Sequence, residues 1–338
     1  MTHGQFVAQP SQTTRGRQPS SWKHWVGMTF TDLDRWFLDA DDVTVVRPPR
    51  EEPGHWAGAP YLLGDGERVY LYYRLRRPRG EGRGYEARIA ESRDGFTFDD
   101  IWGVTKEELQ TPSIERAALV RAGDSFRLYL SYVDPATHKW KIDACEAPDP
   151  RAFRVATRVT AVDPDEYGLE AAKDPVVIKV GPVWYLYASC AMAVDEPNEN
   201  LHAGDDVFTT GRIRSPTCLF LSDDGFSFRW AGEVLSNGAG WDRYMARLTA
   251  WAPHGDAFVA FYDGSASVAE NYEERAALAL STDLRRFRRR RPHVSTTTPP
   301  SAMSKRYVST AFFKGRWLIA YEAILQDGTH ELRIGARQ

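Results

Sequence analysis

The chain has 338 residues, of which 43 are basic and 46 acidic, giving a formal net charge of −3. This balance gives no support for binding to nucleic acid or to an anionic membrane. The content of 42% hydrophobic and 26% charged residues excludes a disordered chain. Aromatic residues make up 12% of the chain, an excess that fits strand packing or stacking platforms for a ligand.

Residues 1–21 are rich in Ser, Gln, Thr, Pro and Arg and are predicted to be a disordered tail. They lack the apolar core of a signal peptide, and no stretch approaches the roughly 20 apolar residues of a membrane span. The three cysteines have no CxxC spacing, which argues against a disulfide framework or a structural zinc. We therefore expect a cytoplasmic protein without a metal or cofactor.

A hairpin pattern recurs five times along the chain: an apolar strand, a glycine turn, then an aromatic strand. The turn glycines are 57, 58, 74 and 60 residues apart, and such a regular spacing indicates a repeat architecture. The five glycines are Gly66, Gly123, Gly181, Gly255 and Gly315.

A second motif follows most of these hairpins, namely a strand, a polar Asp-Gly-type turn and a strand that opens with Phe. It reads SRDGFTF at 92–98, SDDGFSF at 222–228 and STDLRRF at 281–287, with a degenerate form at 146–153. Each repeat is thus predicted to be a four-stranded antiparallel meander, with strands A to D in chain order. Helical periodicity is nearly absent, and the best candidate is a short turn around Thr105–Leu109.

Five such meanders predict an all-β fold, a five-bladed β-propeller, since the period is longer than those of WD40 and kelch repeats. We expect a single domain over 22–338. The last repeat stops after strand C, so an N-terminal strand must close the ring. The best donor is VTVVRPP (43–49), and 25–47 could supply more than one strand. The expected blades cover about 50–105, 106–162, 163–237, 238–298, and 299–338 plus 22–49.

Polar residues are predicted to converge on one face of this ring, because the starts of the A strands and the ends of the B strands share it. Charges at the inner ends of apolar strands are costly unless they are paired with an opposite charge or bind a ligand. This cluster therefore predicts a ligand site or structural ion pairs. The candidates are His55, Trp56, Tyr73, Arg74, Glu115, Arg116, Asp134, Lys173, Asp174, Tyr244, Arg247, Tyr262, Asp263, Tyr307 and Glu322.

Three long B–C loops, 76–86, 192–214 and 264–275, should overhang the same face, and such loops commonly carry function. Two other segments are weaker signals. GEGRG (80–84) partly matches the glycine-rich phosphate-binding loop motif, but no helix is predicted to follow it. The arginine run RRFRRRR (285–291) falls on the outer strand of blade four, where charges protect a sheet edge, with a phosphate or nucleic-acid patch as the alternative.

The repeats and axial residues resemble the five-bladed propeller glycosidase superfamily, glycoside hydrolase families 43, 32, 68, 117 and 130. The resemblance covers about residues 50–338 and includes the Ser-x-Asp-Gly-x-x-Phe turns, Ser92–Phe98 and Ser222–Phe228. It implies a glycoside-acting enzyme, but no member family is assigned.

Family 43 implies an Asp base on blade one, an Asp on blade three and a Glu acid on blade four. Asp174 matches blade three, whereas HWAGAP (55–60) has no carboxylate and Arg247 stands in the blade-four position. Family 130 implies an acidic residue and an Arg on blade two, which Glu115 and Arg116 could match, and a Lys-Asp on blade three. In its phosphorylases basic residues hold phosphate, as Arg116, Lys173 and Arg247 could here.

Inverting hydrolysis of a glycoside needs two carboxyl groups about 6.5–9.5 Å apart. Glu115 on blade two and Asp174 on blade three are the best pair, and Asp263 and Glu322 are substitutes. Arginines would orient hydroxyls or carboxylates of the substrate by fork-like hydrogen bonds. The expected substrate-binding residues are His55, Trp56, Arg74, Arg116, Lys173, Trp241, Tyr244, Arg247, Tyr262 and Tyr307, of which the Trp and Tyr residues could stack on a sugar.

The function expected from these residues is hydrolysis of a short intracellular saccharide or glycoconjugate. Two alternatives stay open. One is a non-catalytic carbohydrate-binding propeller, favoured by the missing blade-one carboxylate. The other is a propeller recruited to phosphorolysis or to non-hydrolytic biosynthetic chemistry.

Overall fold

A computed structural model describes residues 42–193, 200–290 and 304–337. Over these ranges the regular secondary structure is almost entirely antiparallel β-sheet. The strands are β1 Val43–Val46, β2 Trp56–Asp65, β3 Arg68–Arg76, β4 Gly84–Ser92, β5 Asp99–Thr105, β6 Ile114–Ala122, β7 Ser125–Val133, β8 Trp140–Ala147, β9 Val159–Val162, β10 Ala171–Val180, β11 Val183–Ala193, β12 Ile213–Arg214, β13 Thr217–Ser222, β14 Arg229–Leu235, β15 Met245–His254, β16 Ala257–Ser265, β17 Arg275–Ser281, β18 Arg288–Arg289, β19 Lys305–Phe313, β20 Arg316–Ile324 and β21 His330–Arg337.

Helical structure in the described ranges is confined to single turns. The predicted turn near Thr105 is the α-helix α1, Lys106–Leu109, which the Thr105 and Glu108 side chains cap reciprocally. The 3-10 turns are Arg79–Glu81, Pro150–Ala152, Val155–Thr157, Pro164–Tyr167, Val207–Thr209 and Val268–Glu270. None of the described helices is long and apolar enough to span a membrane.

The strands form five meanders in chain order, which confirms the predicted propeller. Blade one is β2–β5, blade two is β6–β9, blade three is built on β10, β11, β13 and β14, and blade four is β15–β18. Blade five has only β19–β21 of its own, and β1 pairs with β21 as its outer strand, with Val43 opposite Ile334. The predicted donor 43–49 is therefore confirmed over β1, whereas 1–41 lie outside the described residues. The five innermost strands contact one another in cyclic order around the axis.

The Asp-Gly-type turns are held by one repeated set of hydrogen bonds. In blade one the Asp94 carboxylate accepts from the backbone N–H groups of Phe96 and Thr97, both at 2.8 Å. The Ser92 hydroxyl accepts from the N–H of Gly95 at 2.9 Å. Gly95 has a φ of 86°, a left-handed conformation that glycine adopts without steric cost. In blade four Leu284 occupies the equivalent place with a φ of 60°.

The second strand of every blade carries a fully buried tyrosine. The hydroxyl of Tyr129 donates to the carbonyl of Gly225 at 2.7 Å, and Tyr187 donates to the carbonyl of Leu284 at 2.7 Å. The rings are buried, and the hydroxyls of Tyr129 and Tyr187 satisfy carbonyls of the neighbouring blade's turn. The five are Tyr72, Tyr129, Tyr187, Tyr262 and Tyr321. These five tyrosines therefore fit the strand-packing interpretation of the aromatic excess.

The arginine run of blade four lies on the outer edge, as its position in the repeat predicts. Arg288 and Arg289 form β18, the outermost strand of that sheet, and both are exposed. Residue 291 lies outside the described part of the chain. GEGRG (80–84) leads into β4, a strand, so it lacks the following helix of a phosphate-binding loop.

Candidate active site

Every innermost strand has a β-bulge at the same level, and these bulges aim side chains at the axis. The register shifts occur between Gly58 and Tyr61, Ile114 and Ala117, Lys173 and Val176, Leu248 and Ala250, and Arg306 and Ser309. Bulges commonly re-aim side chains next to active sites. In three blades the bulge holds a non-glycine residue in the left-handed region: Ala59 at 55°, Asp174 at 59° and Tyr307 at 52°. Such strained backbone concentrates at functional sites.

Arg247 is the hub of the axial cluster. Its Nη1 donates to Asp174 Oδ2 at 3.2 Å and to the Tyr307 hydroxyl at 2.8 Å. Its Nη2 donates to Asp263 Oδ2 at 2.7 Å and lies 3.5 Å from Glu274 Oε1. One guanidinium, itself 1% exposed, therefore bridges three carboxylates from blades three and four.

All three of these carboxylates have buried oxygens that accept no hydrogen bond from the described residues. Both oxygens of Glu274 are in this state but form ion pairs, with Arg247 at 3.5 Å and with Arg306 at 3.0 Å. Asp174 Oδ1 and Asp263 Oδ1 are both buried and accept no hydrogen bond in the described structure. The Tyr307 hydroxyl donates to Asp174 Oδ2 at 3.1 Å, and the Tyr307 N–H donates to Asp263 Oδ2 at 2.9 Å. Burial raises the pKa of Asp263, and the nearby Glu274 carboxylate raises it further while Arg247 opposes the rise.

Glu115 forms a second cluster with Arg74 and Lys173. Arg74 Nε donates to Glu115 Oε1, and Lys173 Nζ lies 3.7 Å from Glu115 Oε2. Burial would raise the pKa of Glu115, but Arg74, Lys173 and Arg76 outweigh it and hold that pKa at about 2. Glu115 is therefore an ionised group with both oxygens engaged.

Glu322 supplies a carboxylate at the place where blade one lacks one. Gly58 stands at the bulge of β2, and a Cβ atom added there would collide with the Glu322 carboxylate. The Glu322 Oε2 atom accepts from the N–H of Ala59 at 2.8 Å. His330 Nδ1 hydrogen-bonds Oε1, and Arg306 lies 3.8 Å away. The absent blade-one side chain thus makes room for a side chain from blade five.

Arg116 lies at the base of this axial cluster and has no carboxylate partner among the described residues. Its Nε donates to the carbonyl of Pro60 at 3.1 Å and its Nη2 to the carbonyl of Val308 at 3.3 Å. The guanidinium lies over the rings of Tyr61 and Tyr307, at 5.3 and 5.9 Å from their centroids. Burial lowers the pKa of Arg116.

His55 and Trp56 lie at the mouth of the site in blade one. The Trp56 ring stacks on His330 with centroids 3.9 Å apart, and its Nε1 donates to the carbonyl of Gly328 at 3.2 Å. His55 Nε2 lies 3.8 Å from the exposed carboxylate of Glu81. Both predicted residues are therefore next to the axial cluster.

The predicted aromatic residues of blade four lie outside the central cluster. Trp241 stacks on Tyr262 with centroids 5.6 Å apart, and the Tyr262 hydroxyl donates to Asp242 at 3.4 Å. The Tyr244 hydroxyl donates to the carbonyl of Phe208 at 2.7 Å. Tyr244 and Tyr262 are buried, so a sugar could stack on either ring only after a local rearrangement.

Two B–C loops bring residues to the site that the sequence did not single out. Asp206, from the loop of blade three, binds Arg83 Nη2 at 2.6 Å and Trp140 Nε1 at 3.1 Å. Glu274 and Tyr272 come from the loop of blade four. The loops were predicted to overhang this face, but the unequal spacing of their residues gives no periodic signal for which side chains turn inward.

A cavity of 360 Å³ opens on the axis at the opposite end of the ring. It is lined by later residues of the innermost strands, including Tyr61, Val177, Trp251 and Phe312. Among its lining residues the only charged side chains are Arg121 and Lys179. Because it offers no carboxylate, this cavity lacks the groups that acid–base chemistry needs, and the candidate site remains the polar cluster. No group of His, Cys, Asp and Glu suited to a metal occurs among the described residues.

No family model matches the chain, and no curated protein matches it. Solved structures do. A glycoside hydrolase superposes with a TM-score of 0.67 at 11% identity, covering 92% of this chain and 96% of that one. A thermostable family-43 glycoside hydrolase gives 0.60 at 12% identity, with 83% and 88% covered. A family-43 enzyme from Xanthomonas citri complexed with xylotriose gives 0.58 at 11% identity, with 87% and 90% covered.

The chain has the fold of these hydrolases. The identities are too low to carry residue roles from one chain to the other, so the roles of the axial side chains rest on the contacts described above.

Proposed function

We propose that this propeller hydrolyses a glycoside at its axis, with Asp263 as general acid and Asp174 as general base. The observation that carries the proposal is the pair of buried, unpartnered oxygens, Oδ1 of each residue. In a network that served stability alone, both oxygens of a buried carboxylate would be expected to accept hydrogen bonds. The similar structures are glycoside hydrolases, which supports this class of reaction.

The two carboxyls suit different roles because their surroundings differ. A general acid must hold its proton near neutral pH, and burial beside Glu274 raises the pKa of Asp263. Asp174 accepts from Arg247 and from the Tyr307 hydroxyl through Oδ2, which leaves its Oδ1 available to accept a proton from water. Asp263 would donate a proton to the glycosidic oxygen, while Asp174 takes a proton from the water that attacks the anomeric carbon.

This assignment differs from the pairing of Glu115 with Asp174 that the sequence favours. Both oxygens of Glu115 are engaged by cations, and its pKa of about 2 leaves it no proton to donate. Glu322 accepts two hydrogen bonds. We therefore propose that Glu115 and Glu322 position their neighbours and take no part in proton transfer.

Burial of the axial residues favours a second candidate, a non-catalytic carbohydrate-binding propeller. Asp174 and Glu322 are 0% exposed and Arg247 is 1% exposed, so a substrate reaches the cluster only if the B–C loops 200–214 and 264–275 move. A binding propeller would keep the closed arrangement and take the sugar at the mouth, next to Trp56.

Turnover of a panel of aryl glycosides distinguishes the two candidates. Short saccharides are the first probes, because similar structures are complexed with xylose and xylotriose. We expect Asp263→Asn to lower kcat by roughly 10²–10⁴-fold for a poor leaving group and much less for dinitrophenol. Asp174→Asn should slow both substrates alike. Asp223→Asn, at an exposed site, is the control.

Equal rates for Asp263→Asn and wild type would refute the assignment of the acid. Saccharide binding without turnover by the wild type would favour the binding propeller, and turnover only with inorganic phosphate would indicate phosphorolysis. We also propose a reducing, cytoplasmic location, supported by three buried cysteines without disulfides.

A further inference from the structure

Arg76, the last residue of β3, is a buried guanidinium without an anionic partner among the described residues. It is 4% exposed, and its Nε atom is enclosed and has no hydrogen-bond partner. Two nearby arginines are both paired: Arg74, on the same strand, with Glu115, and Arg83, just before β4, with Asp206. Of these three arginines, Arg76 alone has no carboxylate partner among the described residues.

The surroundings of Arg76 carry a surplus of positive charge. Arg74, Arg76, Arg83 and Lys173 are four cations, and the carboxylates of Glu115 and Asp206 face them. Glu322 also interacts with Arg74, but it lies 3.8 Å from a further cation, Arg306. Burying an unpaired charge is costly. Burial lowers the pKa of Arg76, and the positive charges of Arg74 and Arg83 lower it further. A protein that keeps such a group gains something from it other than stability.

Aromatic rings restrict the geometry of contact with this guanidinium. Arg76 lies 4.1 Å from the ring centroid of Trp56 and 4.2 Å from that of Tyr272. Cation–π contacts compensate part of the burial cost, but they leave the N–H groups at the edge without acceptors. An edge with parallel N–H groups fits the planar fork of a carboxylate or two oxygens of a phosphate.

The position of Arg76 along β3 places the N–H edge of its guanidinium on the same side of the strand as Arg74, which belongs to the axial cluster. Side chains two residues apart on a strand point to the same face and lie about 7 Å apart, so Arg76 follows Arg74 outward from the axis toward the mouth. That separation is close to the size of one sugar ring. The Tyr272 hydroxyl is also buried without a hydrogen-bond partner, and Tyr272 has a φ of 81°, so the blade-four loop holds a strained residue over the same spot.

We propose that the saccharide bound by this propeller carries an acidic group, a carboxylate or a phosphate monoester, which the edge of Arg76 receives at the mouth of the axial site. The inference names the substrate class and rests on the proposed function for the position of the sugar.

Binding of matched probes tests this proposal. Titration calorimetry compares a nitrophenyl glycoside of a uronic acid, the glycoside of the same sugar with a neutral hydroxymethyl group, and its 6-phosphate. We expect one of the acidic probes to bind about 100-fold more tightly than the neutral one, as a charge-assisted pair allows. Which acidic probe wins distinguishes the carboxylate from the phosphate.

Arg76→Gln should remove that preference while changing the affinity for the neutral probe less than about 3-fold. The control is Arg77→Gln, because Arg77 is exposed and stacks on Tyr85, and it should leave every affinity unchanged. A melting temperature provides the second readout. Arg76→Gln should keep or raise it, whereas Arg74→Gln should lower it by leaving Glu115 buried without its partner.

Two results would overturn the proposal: no preference for an acidic probe in the wild type, or a loss of melting temperature in Arg76→Gln as large as that in Arg74→Gln. The proposed hydrolysis and the proposed site for an acidic group at Arg76, the anion site, can fail independently of each other. Tight binding of an acidic saccharide without any turnover would refute hydrolysis and support the anion site. Turnover of neutral glycosides without an acidic preference would refute the anion site and support hydrolysis.

Discussion

Gly58→Ala tests the arrangement in which a blade-five carboxylate fills the space of a missing blade-one side chain. Gly58 has no left-handed backbone, so alanine is compatible with its conformation. The added methyl group would occupy the space of the Glu322 carboxylate. The effect of the substitution is therefore the displacement of that carboxylate from its partners.

The magnitude follows from the contacts that Glu322 would lose. Its Oε2 accepts from the N–H of Ala59 at 2.8 Å, and its Oε1 is bonded by His330 Nδ1. A hydrogen bond to a charged group contributes about 1.5–3 kcal/mol, and overpacking a core costs about 1–3 kcal/mol. With both bonds lost, we expect the free energy of unfolding to fall by about 4–9 kcal/mol, and the melting temperature by about 8–18 °C at roughly 2 °C per kcal/mol.

Thermal unfolding followed by circular dichroism, with urea unfolding for the free energy, measures this loss. Gly80→Ala is the matched control, because a Cβ atom there meets nothing within 4 Å, and it should change stability by less than about 0.5 kcal/mol. In a Glu322→Ala background Gly58→Ala should cost almost nothing, since the clashing carboxylate is gone. An unchanged melting temperature, or an equal cost in both backgrounds, would refute the reasoning.

Two further predictions concern stability. The pKa of Glu115 is about 2 in the folded protein against an ordinary 4.5. Its contribution of about 3 kcal/mol to the free energy of unfolding is therefore present above pH 4.5 and is lost as the pH falls toward 2. In urea unfolding, the difference in stability between wild type and Glu115→Gln should shrink below pH 4.5, and a constant difference would contradict this prediction. Asp224 accepts from two backbone N–H groups in its turn, so Asp224→Ala should lower the free energy of unfolding, measured in urea, by about 1–2 kcal/mol. Asp223→Ala removes an exposed ion pair and should cost less than about 0.5 kcal/mol. Equal costs would show that the turn hydrogen bonds contribute nothing.

The fold could be predicted because its determinants are local and repeated. Alternation of apolar residues, a glycine at each A–B turn and Ser-x-Asp turns such as Ser92–Phe98 specify each hairpin within about ten residues of chain. The recurrence of these signals fixes the number of blades. Only β1, which pairs with β21 across most of the sequence, required an argument from closure of the ring.

The candidate site could be predicted as a set of residues but not as a set of pairs. The position of charges at the inner ends of strands A and B placed Glu115, Asp174, Arg247, Asp263 and Glu322 on one face, and the structure brings all five to the axis. Which carboxylate each arginine binds depends on the bulges and on contacts between blades, and neither leaves a pattern in a single segment.

The sequence by itself thus determined the repeated hairpins, the five blades and the face on which the charged residues meet, because these depend on periodicity and on short-range turn chemistry. Only the tertiary structure decided that Glu322 fills the space above Gly58. The same holds for the oxygens of Asp174 and Asp263 that accept no hydrogen bond, and for the lack of an anionic partner of Arg76, among the described residues. The reason is physical: side chains from different blades compete for the same narrow axis, and the outcome depends on distances between strands far apart in the chain.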